Sequence, residues 1–148
     1  MICPKATRIT LTLLASTILS LAHAACDLDH SVFRDAATRG FTLEFSPSRG
    51  DGATVVARAQ VRHKTRGVIF KFEVGQSNGY GTFFLARTDA DKAPAHDVYF
   101  FDANMVETPV NTAAWAFVSG LGSADWYDTR KDPQLGDTMW KFDRCKLK

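Results

Sequence analysis

The chain has 148 residues, 45% of them hydrophobic and 23% charged, with 18 basic and 16 acidic side chains. Its length fits one ordinary domain, and no repeat, low-complexity tract or linker divides the sequence. A net charge of only +2 gives no reason to expect a nucleic acid or an anionic membrane as a partner.

The N-terminus has the layout of a secretory signal peptide. Lys5 and Arg8 precede an apolar stretch at residues 9–22, and the small residue Ala24 follows. The apolar stretch is shorter than the roughly 18 to 20 residues that span a bilayer. We therefore predict cleavage after Ala24, which leaves residues 25–148 as one secreted or periplasmic domain. The signal removes basic residues only, so the mature chain is neutral, and we expect no stable membrane anchor after cleavage.

Two cysteines remain in the mature chain, one near each end. In an oxidising compartment, Cys26 and Cys145 predict one disulfide that ties the termini together. The chain-entropy model gives about 4 to 5 kcal/mol for closing a loop on the order of 100 residues. Lipid attachment at Cys26 is the alternative, although His23 departs from the lipobox pattern.

Alternation of apolar and polar residues predicts an all-β domain. One short helix near the N-terminus fits residues 30–40, and a helical turn fits residues 124–127. Seven strands are predicted at residues 41–45, 55–64, 68–74, 82–87, 96–102, 113–118 and 138–145. Short strands at this spacing indicate an antiparallel β-sandwich or a small β-barrel, with its termini joined by the disulfide.

Large aromatic residues at strand spacing supply a hydrophobic core. We expect Phe70, Phe72, Phe100, Trp140 and Phe142 inside, because each large ring removes about 150 to 250 Å² from water when buried.

The sequence contains no recognisable catalytic or metal-binding set. The histidines of the mature chain do not have the H-x-x-x-H spacing of a zinc site, and its serines do not fit G-x-S-x-G. We therefore predict no metal, no cofactor and no enzymatic activity. An enzyme of unrecognised type, which would use His63, His96 or Asp125, is the alternative.

Charge is unevenly distributed along the mature chain. Basic residues outnumber acidic ones between residues 49 and 71, whereas residues 89–137 are mostly acidic. Arg58, Arg62 and Lys64 share the polar face of a predicted strand, where they would attract an acidic protein or a polyanion. The alternative is that the acidic loops fold back onto this face as ordinary surface ion pairs.

The stretch GQSNGYGTFF, at residues 75–84, joins two predicted strands. Asn78-Gly79 is a strong turn dipeptide, because both residues tolerate a positive φ. Tyr80 lies between two glycines, and a tyrosine there is costly to order unless it contacts something. We predict that Ser77, Asn78 and Tyr80 contact a partner.

This tip, the secretion signal and the terminal cysteine in FDRCKLK resemble features of the bacterial c-type lysozyme inhibitors. Those proteins are small secreted β-barrels that present a polar, Ser-Gly-rich loop to the enzyme's cleft. The loop spacing differs here, so the resemblance is an analogy and does not assign the chain to that family. It implies an inhibitory contact through the tip.

These patterns together predict a non-catalytic binding or inhibitory module for a protein or cell-envelope partner. The alternative is a β-barrel carrier of a small apolar ligand, whose cavity would be lined by aromatic side chains. The candidates for such a lining are Phe83, Phe84, Tyr99, Phe101, Trp115 and Trp126. No sequence feature indicates the oligomeric state.

Overall fold

The computed structural model describes residues 26–50, 54–79 and 81–147. Over these ranges eight antiparallel strands close into one barrel, and each strand pairs with its neighbours in chain order. The strands are β1 (Ser31–Asp35), β2 (Phe41–Pro47), β3 (Val55–His63), β4 (Gly67–Gln76), β5 (Phe83–Arg87), β6 (His96–Phe101), β7 (Trp115–Val118) and β8 (Met139–Cys145). One α-helix, α1 (Leu121–Asp128), and two single-turn 3₁₀ helices, Leu28–His30 and Val110–Thr112, complete the described elements. The prediction of an all-β domain is confirmed, and the small barrel is the arrangement that forms.

The seven predicted strands are present, and the helical turn predicted at residues 124–127 belongs to α1. The short N-terminal helix predicted at residues 30–40 is wrong, because β1 occupies Ser31–Asp35. β1 pairs with β2 on one side and with β8 on the other. These two ladders take up its backbone hydrogen-bonding groups and close the barrel, so tertiary pairing outweighs a weak local helix signal.

Side chains fill the barrel interior. Phe33 lies 6.1 Å from Phe45 and 6.0 Å from Phe100 between ring centroids, and all three rings are buried. An eight-stranded barrel is just wide enough for its own side chains to fill it. Phe70, Phe72, Phe100 and Trp140 are buried as predicted. Phe142 is only partly buried and packs against this core.

The helix α1 and the segment after it close one end of the barrel, called here the helix end. Leu121 and Leu135 are buried there against the core. A Cβ atom at Gly122 would lie 2.2 Å from the carbonyl carbon of Gly136. Glycine at this position therefore lets the helix touch the backbone of the following segment.

A buried ion pair fastens the helix end. Arg66, in the turn between β3 and β4, donates to both carboxylate oxygens of Asp125 at 3.1 and 2.8 Å. Asp125 is fully buried and also accepts from the backbone N–H of Leu135 at 2.7 Å and from the Thr129 hydroxyl at 2.6 Å. Burial alone would raise the pKa of Asp125, but these hydrogen bonds and the Arg66 charge hold that pKa below its ordinary value.

The predicted disulfide between Cys26 and Cys145 is present, with 5.8 Å between the two Cα atoms. It joins the segment before β1 to the end of β8, so both ends of the barrel sequence are held together. Both thiols are used in this bond, which leaves neither for lipid attachment. Among the described residues, no helix has the length and apolar character needed to cross a membrane.

Candidate functional site

The outer surface of the barrel has two halves of different chemistry. On β2, β3 and β4 the outward positions carry polar and charged residues, such as Glu44, Gln60 and Lys71. On β6 and β7 most outward positions carry aromatic residues instead, namely Tyr99, Phe101, Trp115 and Phe117. The polar half contains the candidate site.

A groove of 620 Å³ crosses the outer face of β2, β3 and β4. Four basic residues line it, of which Arg49 follows β2, Arg58 lies on β3, Lys71 lies on β4 and Lys146 follows β8. The remaining lining residues are Glu44, Ser46, Pro47, Ala59, Gln60, Phe72, Glu73 and Thr88. Basic side chains thus outnumber carboxylates around the groove.

Glu44 organises one end of this groove. Its carboxylate accepts hydrogen bonds from Gln60 at 2.9 Å and from Thr42 at 3.1 Å, and Lys146 and Arg62 lie 3.6 and 3.9 Å away. Burial alone would raise the pKa of Glu44, but these hydrogen bonds and positive charges hold that pKa below its ordinary value. Glu44 is therefore ionised at neutral pH, and its charge is already compensated from within the protein.

Lys146 reaches the groove because of the disulfide. Its ammonium group donates to the carbonyl oxygen of Phe45 at 3.0 Å, and its backbone N–H donates to the carbonyl oxygen of His30 at 2.7 Å. The adjacent Cys145 is bonded to Cys26. The C-terminal segment is thus fixed across the end of β2, and one cation of the groove is held in place.

The structure brings one of the three predicted basic residues into the groove. Arg58 lines it and lies directly opposite Glu73 on β4. Arg62 lies at its edge beside Glu44, whereas Lys64 is exposed in the turn after β3 and does not line it. The sequence interpretation missed Glu44 and Lys146, although Glu44 stands on the polar face of FTLEF.

Acidic residues of the second half of the chain form ion pairs with Arg66 and Arg87, which are not the residues where the alternative interpretation expected them. Asp125 binds Arg66, while Asp128 and Asp89 bind Arg87. Arg87 also lies over the ring of Phe70, 4.6 Å from its centroid. These pairs fasten the helix end of the barrel, and none of these five residues lines the groove.

Around the predicted tip, residues 76 and 77 are hydrogen-bonded to residues 81 and 82. The Ser77 N–H donates to the carbonyl oxygen of Thr82 at 2.9 Å, and the Gln76 side chain donates to the carbonyl oxygen of Gly81 at 3.0 Å. Ser77 and Asn78 are exposed, and neither lines the groove. Tyr80, the third predicted contact residue, lies outside the described residues.

The residues named for an unrecognised enzyme have structural partners. The His63 Nε2–H donates to the carbonyl oxygen of Arg39 at 3.0 Å, and His63 Nδ1 accepts from the Thr65 N–H at 3.3 Å. The His96 Nδ1–H donates to the carbonyl oxygen of Ser119 at 2.8 Å. His63 thus closes the turn after β3, while His96 ties the start of β6 to the end of β7.

Most aromatic residues named for a ligand cavity lie outside the barrel. Tyr99 and Phe101 alternate with buried core residues on β6, and Trp115 pairs with Phe101 across to β7. Phe84 covers Gly75, where a Cβ atom would lie 2.2 Å from its ring. Trp126 is 56% exposed on α1. Phe83 is the candidate that packs against the core, 5.9 Å from Phe100.

In the part of the chain that the structure describes, one group of side chains has donor atoms close enough to hold a metal ion. Ligand atoms of Asp27, Asp29 and His30 lie within 4.8 Å of one another. His30 Nδ1 lies 2.6 Å from Asp29 Oδ1, so these two groups already satisfy each other. Surface acidic groups of this kind are common without an ion, and this group lies outside the groove.

Comparison of the chain with protein-family models, with curated proteins and with solved structures gives no match in any of the three. The functional conclusion therefore rests on the chemistry and geometry of the groove.

Proposed function

We propose that this domain is a non-catalytic binding module that holds an acidic segment of a partner protein in the groove on β2, β3 and β4. The observation that carries the proposal is the set of four basic residues around one concave surface, Arg49, Arg58, Lys71 and Lys146. Such a surface attracts carboxylates, and hydrogen bonds between charged groups are stronger than those between neutral groups.

The two carboxylates of the groove do not cancel this attraction. Glu44 is engaged by Gln60, Thr42 and Lys146, so an incoming carboxylate meets a compensated charge at that end. The remaining carboxylate, Glu73, stands opposite Arg58. Arg49 and Lys71 give the groove an excess of positive charge, which raises the association rate of an acidic partner at low salt.

The dimensions favour an extended segment over a folded surface. Three neighbouring strands at about 4.8 Å spacing span about 10 Å, which matches one extended chain with its side chains. A segment lying there would place acidic side chains near Lys71 and Arg58 in turn. The barrel beneath is closed and packed, so the groove can bind such a segment with little rearrangement.

The compartment is part of the same proposal. A disulfide between the two ends of the domain is compatible with a secreted or periplasmic protein. We propose this location on the basis of the disulfide and the predicted signal that ends at Ala24. The partner would then be an acidic protein of the cell envelope or of the extracellular medium.

A fluorescein-labelled oligoglutamate peptide tests the proposal by fluorescence anisotropy. The oxidised protein should bind it, and the affinity should fall as salt is raised. The double variant Arg58→Ala, Lys71→Ala should bind about tenfold more weakly, because each surface contact contributes up to about 1 kcal/mol.

The matched control is Lys64→Ala with Lys131→Ala, which removes the same charge from exposed positions outside the groove. Its affinity should stay within about twofold of the parent protein, since distant surface charges are screened. If both double variants lose affinity equally, the peptide recognises net charge and the groove proposal is wrong.

A further inference from the structure

A second cavity, of 430 Å³, opens at the end of the barrel opposite α1, and we call it the mouth cavity. It lies between the connection of β4 to β5 and the segment that precedes β7. Its described lining residues are Gln76, Gly81, Thr82, Phe83, Val98, Phe100, Glu107, Thr108, Pro109 and Val110. None of them lines the groove on β2, β3 and β4.

The floor of the mouth cavity is apolar and aromatic. Val98 and Phe100 belong to the packed core, and Phe83 meets Phe100 edge to face at 5.9 Å and 79°. Phe83 is only partly buried, so part of its ring is available to a ligand. Small-molecule sites have this composition, with an apolar floor and a few polar groups that fix orientation.

The walls offer hydrogen-bond acceptors and one negative charge. Glu107 is the single charged residue among the described lining residues, and no described cation forms an ion pair with it. One N–H of the Gln76 amide is used in its bond to the Gly81 carbonyl oxygen, and the amide oxygen can act as an acceptor. The backbone N–H of Thr108 is likewise used, in a bond to the Phe100 carbonyl oxygen at 3.0 Å.

We infer that the mouth cavity binds a small organic cation, a protonated amine carried on a short apolar body. The carboxylate of Glu107 attracts the ammonium group, while aromatic rings attract cations and also bury the apolar body. An anion would be repelled by the Glu107 carboxylate, with which no described cation forms an ion pair, so it is disfavoured. The volume falls within the range of about 300 to 1,000 Å³ that small-molecule sites occupy.

A carrier barrel of this kind would bind a cation with an apolar body, and not the neutral apolar ligand that the sequence suggested as an alternative. Among the described residues, the barrel interior has no room for a ligand, because Phe33, Phe45 and Phe100 pack against one another there. The mouth cavity lies above that core and selects by charge. It is also independent of the groove, whose lining carries excess positive charge, so either site can exist without the other.

Isotope-labelled oxidised protein, titrated with phenethylamine and followed by amide NMR, tests the inference. Chemical-shift changes should be largest at the amides of residues 81–83, 98, 100, 107, 108 and 110. Phenethyl alcohol, which has the same size without the charge, should bind at least about tenfold more weakly. The variant Glu107→Gln should weaken phenethylamine binding by about tenfold as well.

The matched control is Glu73→Gln, which removes one carboxylate from the groove and should leave phenethylamine binding unchanged. Glu107 is exposed, so Glu107→Gln should fold like the parent protein. Its backbone amide signals from residues outside the mouth cavity should therefore be unchanged. Equal binding of the alcohol and the amine would overturn the inference, as would undiminished binding by Glu107→Gln. Absence of shifts at the mouth up to about 10 mM amine would overturn it too.

Discussion

Replacing Arg66 with alanine should remove a large part of the stability of this domain. The guanidinium donates five hydrogen bonds, two to Asp125 and one each to Thr129, Lys131 and Pro133. Its side chain is 8% exposed and that of Asp125 is 0% exposed. The alanine variant therefore leaves a buried carboxylate without its cation.

The expected loss is about 3 to 5 kcal/mol in the free energy of unfolding, the range for breaking one side of a buried ion pair. Domains of this size are stable by about 5 to 15 kcal/mol, so the loss amounts to between about a fifth and all of a typical free energy of unfolding. Most of this loss is the cost of keeping the Asp125 carboxylate buried without a cation. The loss is therefore larger than the net free energy that the intact ion pair contributes to folding.

Urea unfolding followed by tryptophan fluorescence measures this difference. The matched control is Arg62→Ala, because the Arg62 side chain is 46% exposed and its Nε atom lies 3.9 Å from the Glu44 carboxylate. That exposed pair should contribute no more than about 1 kcal/mol. A second control, Arg66→Met with Asp125→Leu, removes both charges together and should recover much of the stability.

Equal losses for Arg66→Ala and Arg62→Ala would refute this reasoning, because burial would then make no difference. If the double variant is no more stable than Arg66→Ala, the lost hydrogen bonds to backbone carbonyls account for most of the destabilisation, and the unpaired carboxylate does not.

Three further predictions follow from single contacts. The folded-state pKa of Asp125 lies below its ordinary value, so ionised Asp125 stabilises the folded domain. This contribution to the free energy of unfolding is complete above the unfolded-state pKa of about 3.9, and it is lost as the pH falls through the folded-state pKa. Acid titration of the unfolding free energy should show this slope, and Asp125→Asn should remove it. Gly75→Ala should lower the free energy of unfolding in urea by about 1 to 3 kcal/mol, because the added Cβ atom would lie 2.2 Å from the Phe84 ring. Combining it with Phe84→Leu should restore part of this loss. The double variant Cys26→Ser, Cys145→Ser should have a free energy of unfolding about 2 to 5 kcal/mol lower than the parent protein. Mass spectrometry after thiol labelling should find both cysteines of the parent protein unlabelled. Labelled cysteines would contradict the bond.

Alternation in the sequence was enough to predict the strands whose two faces differ. On β3, buried Ala57, Ala59 and Val61 alternate with more exposed polar residues. β1 was missed because Ser31, Val32 and Phe33 are buried in succession, which removes the alternation. The register of β1 against β8 shifts between Val32 and Phe33, and this irregularity is set by the partner strand.

Barrel closure could not be predicted from local pattern. It depends on β1 pairing with β8, at opposite ends of the sequence, and a sandwich with the same strands has the same alternation. The disulfide prediction did place the two ends together, because two cysteines in an oxidising compartment allow one bond.

The candidate site was predicted in part. Alternation on β3 placed Arg58 on the outer face, where it lines the groove. Glu44 and Lys146 join it only through strand pairing and the disulfide, which are long-range contacts. The aromatic runs VYFF and WAFV are apolar at every position, so periodicity could not show that Tyr99 and Trp115 face outward.

A partner contact through Ser77, Asn78 and Tyr80 stays a prediction, and the experiments on the groove do not depend on it. A variant with Ser77→Ala and Asn78→Ala should leave oligoglutamate binding unchanged, because neither residue lines the groove. This separates an interaction through the tip from one through the groove.

Amide NMR of the isotope-labelled oxidised protein, titrated with oligoglutamate, tests the central claim most directly. The account predicts shift changes concentrated at the amides of the described groove residues, which are residues 44, 46, 49, 58–60, 71–73, 88 and 146. It also predicts that these changes are lost in the Arg58→Ala, Lys71→Ala variant. Changes spread over exposed lysines and arginines elsewhere, or no changes at low salt, would contradict the claim that this groove is the binding site.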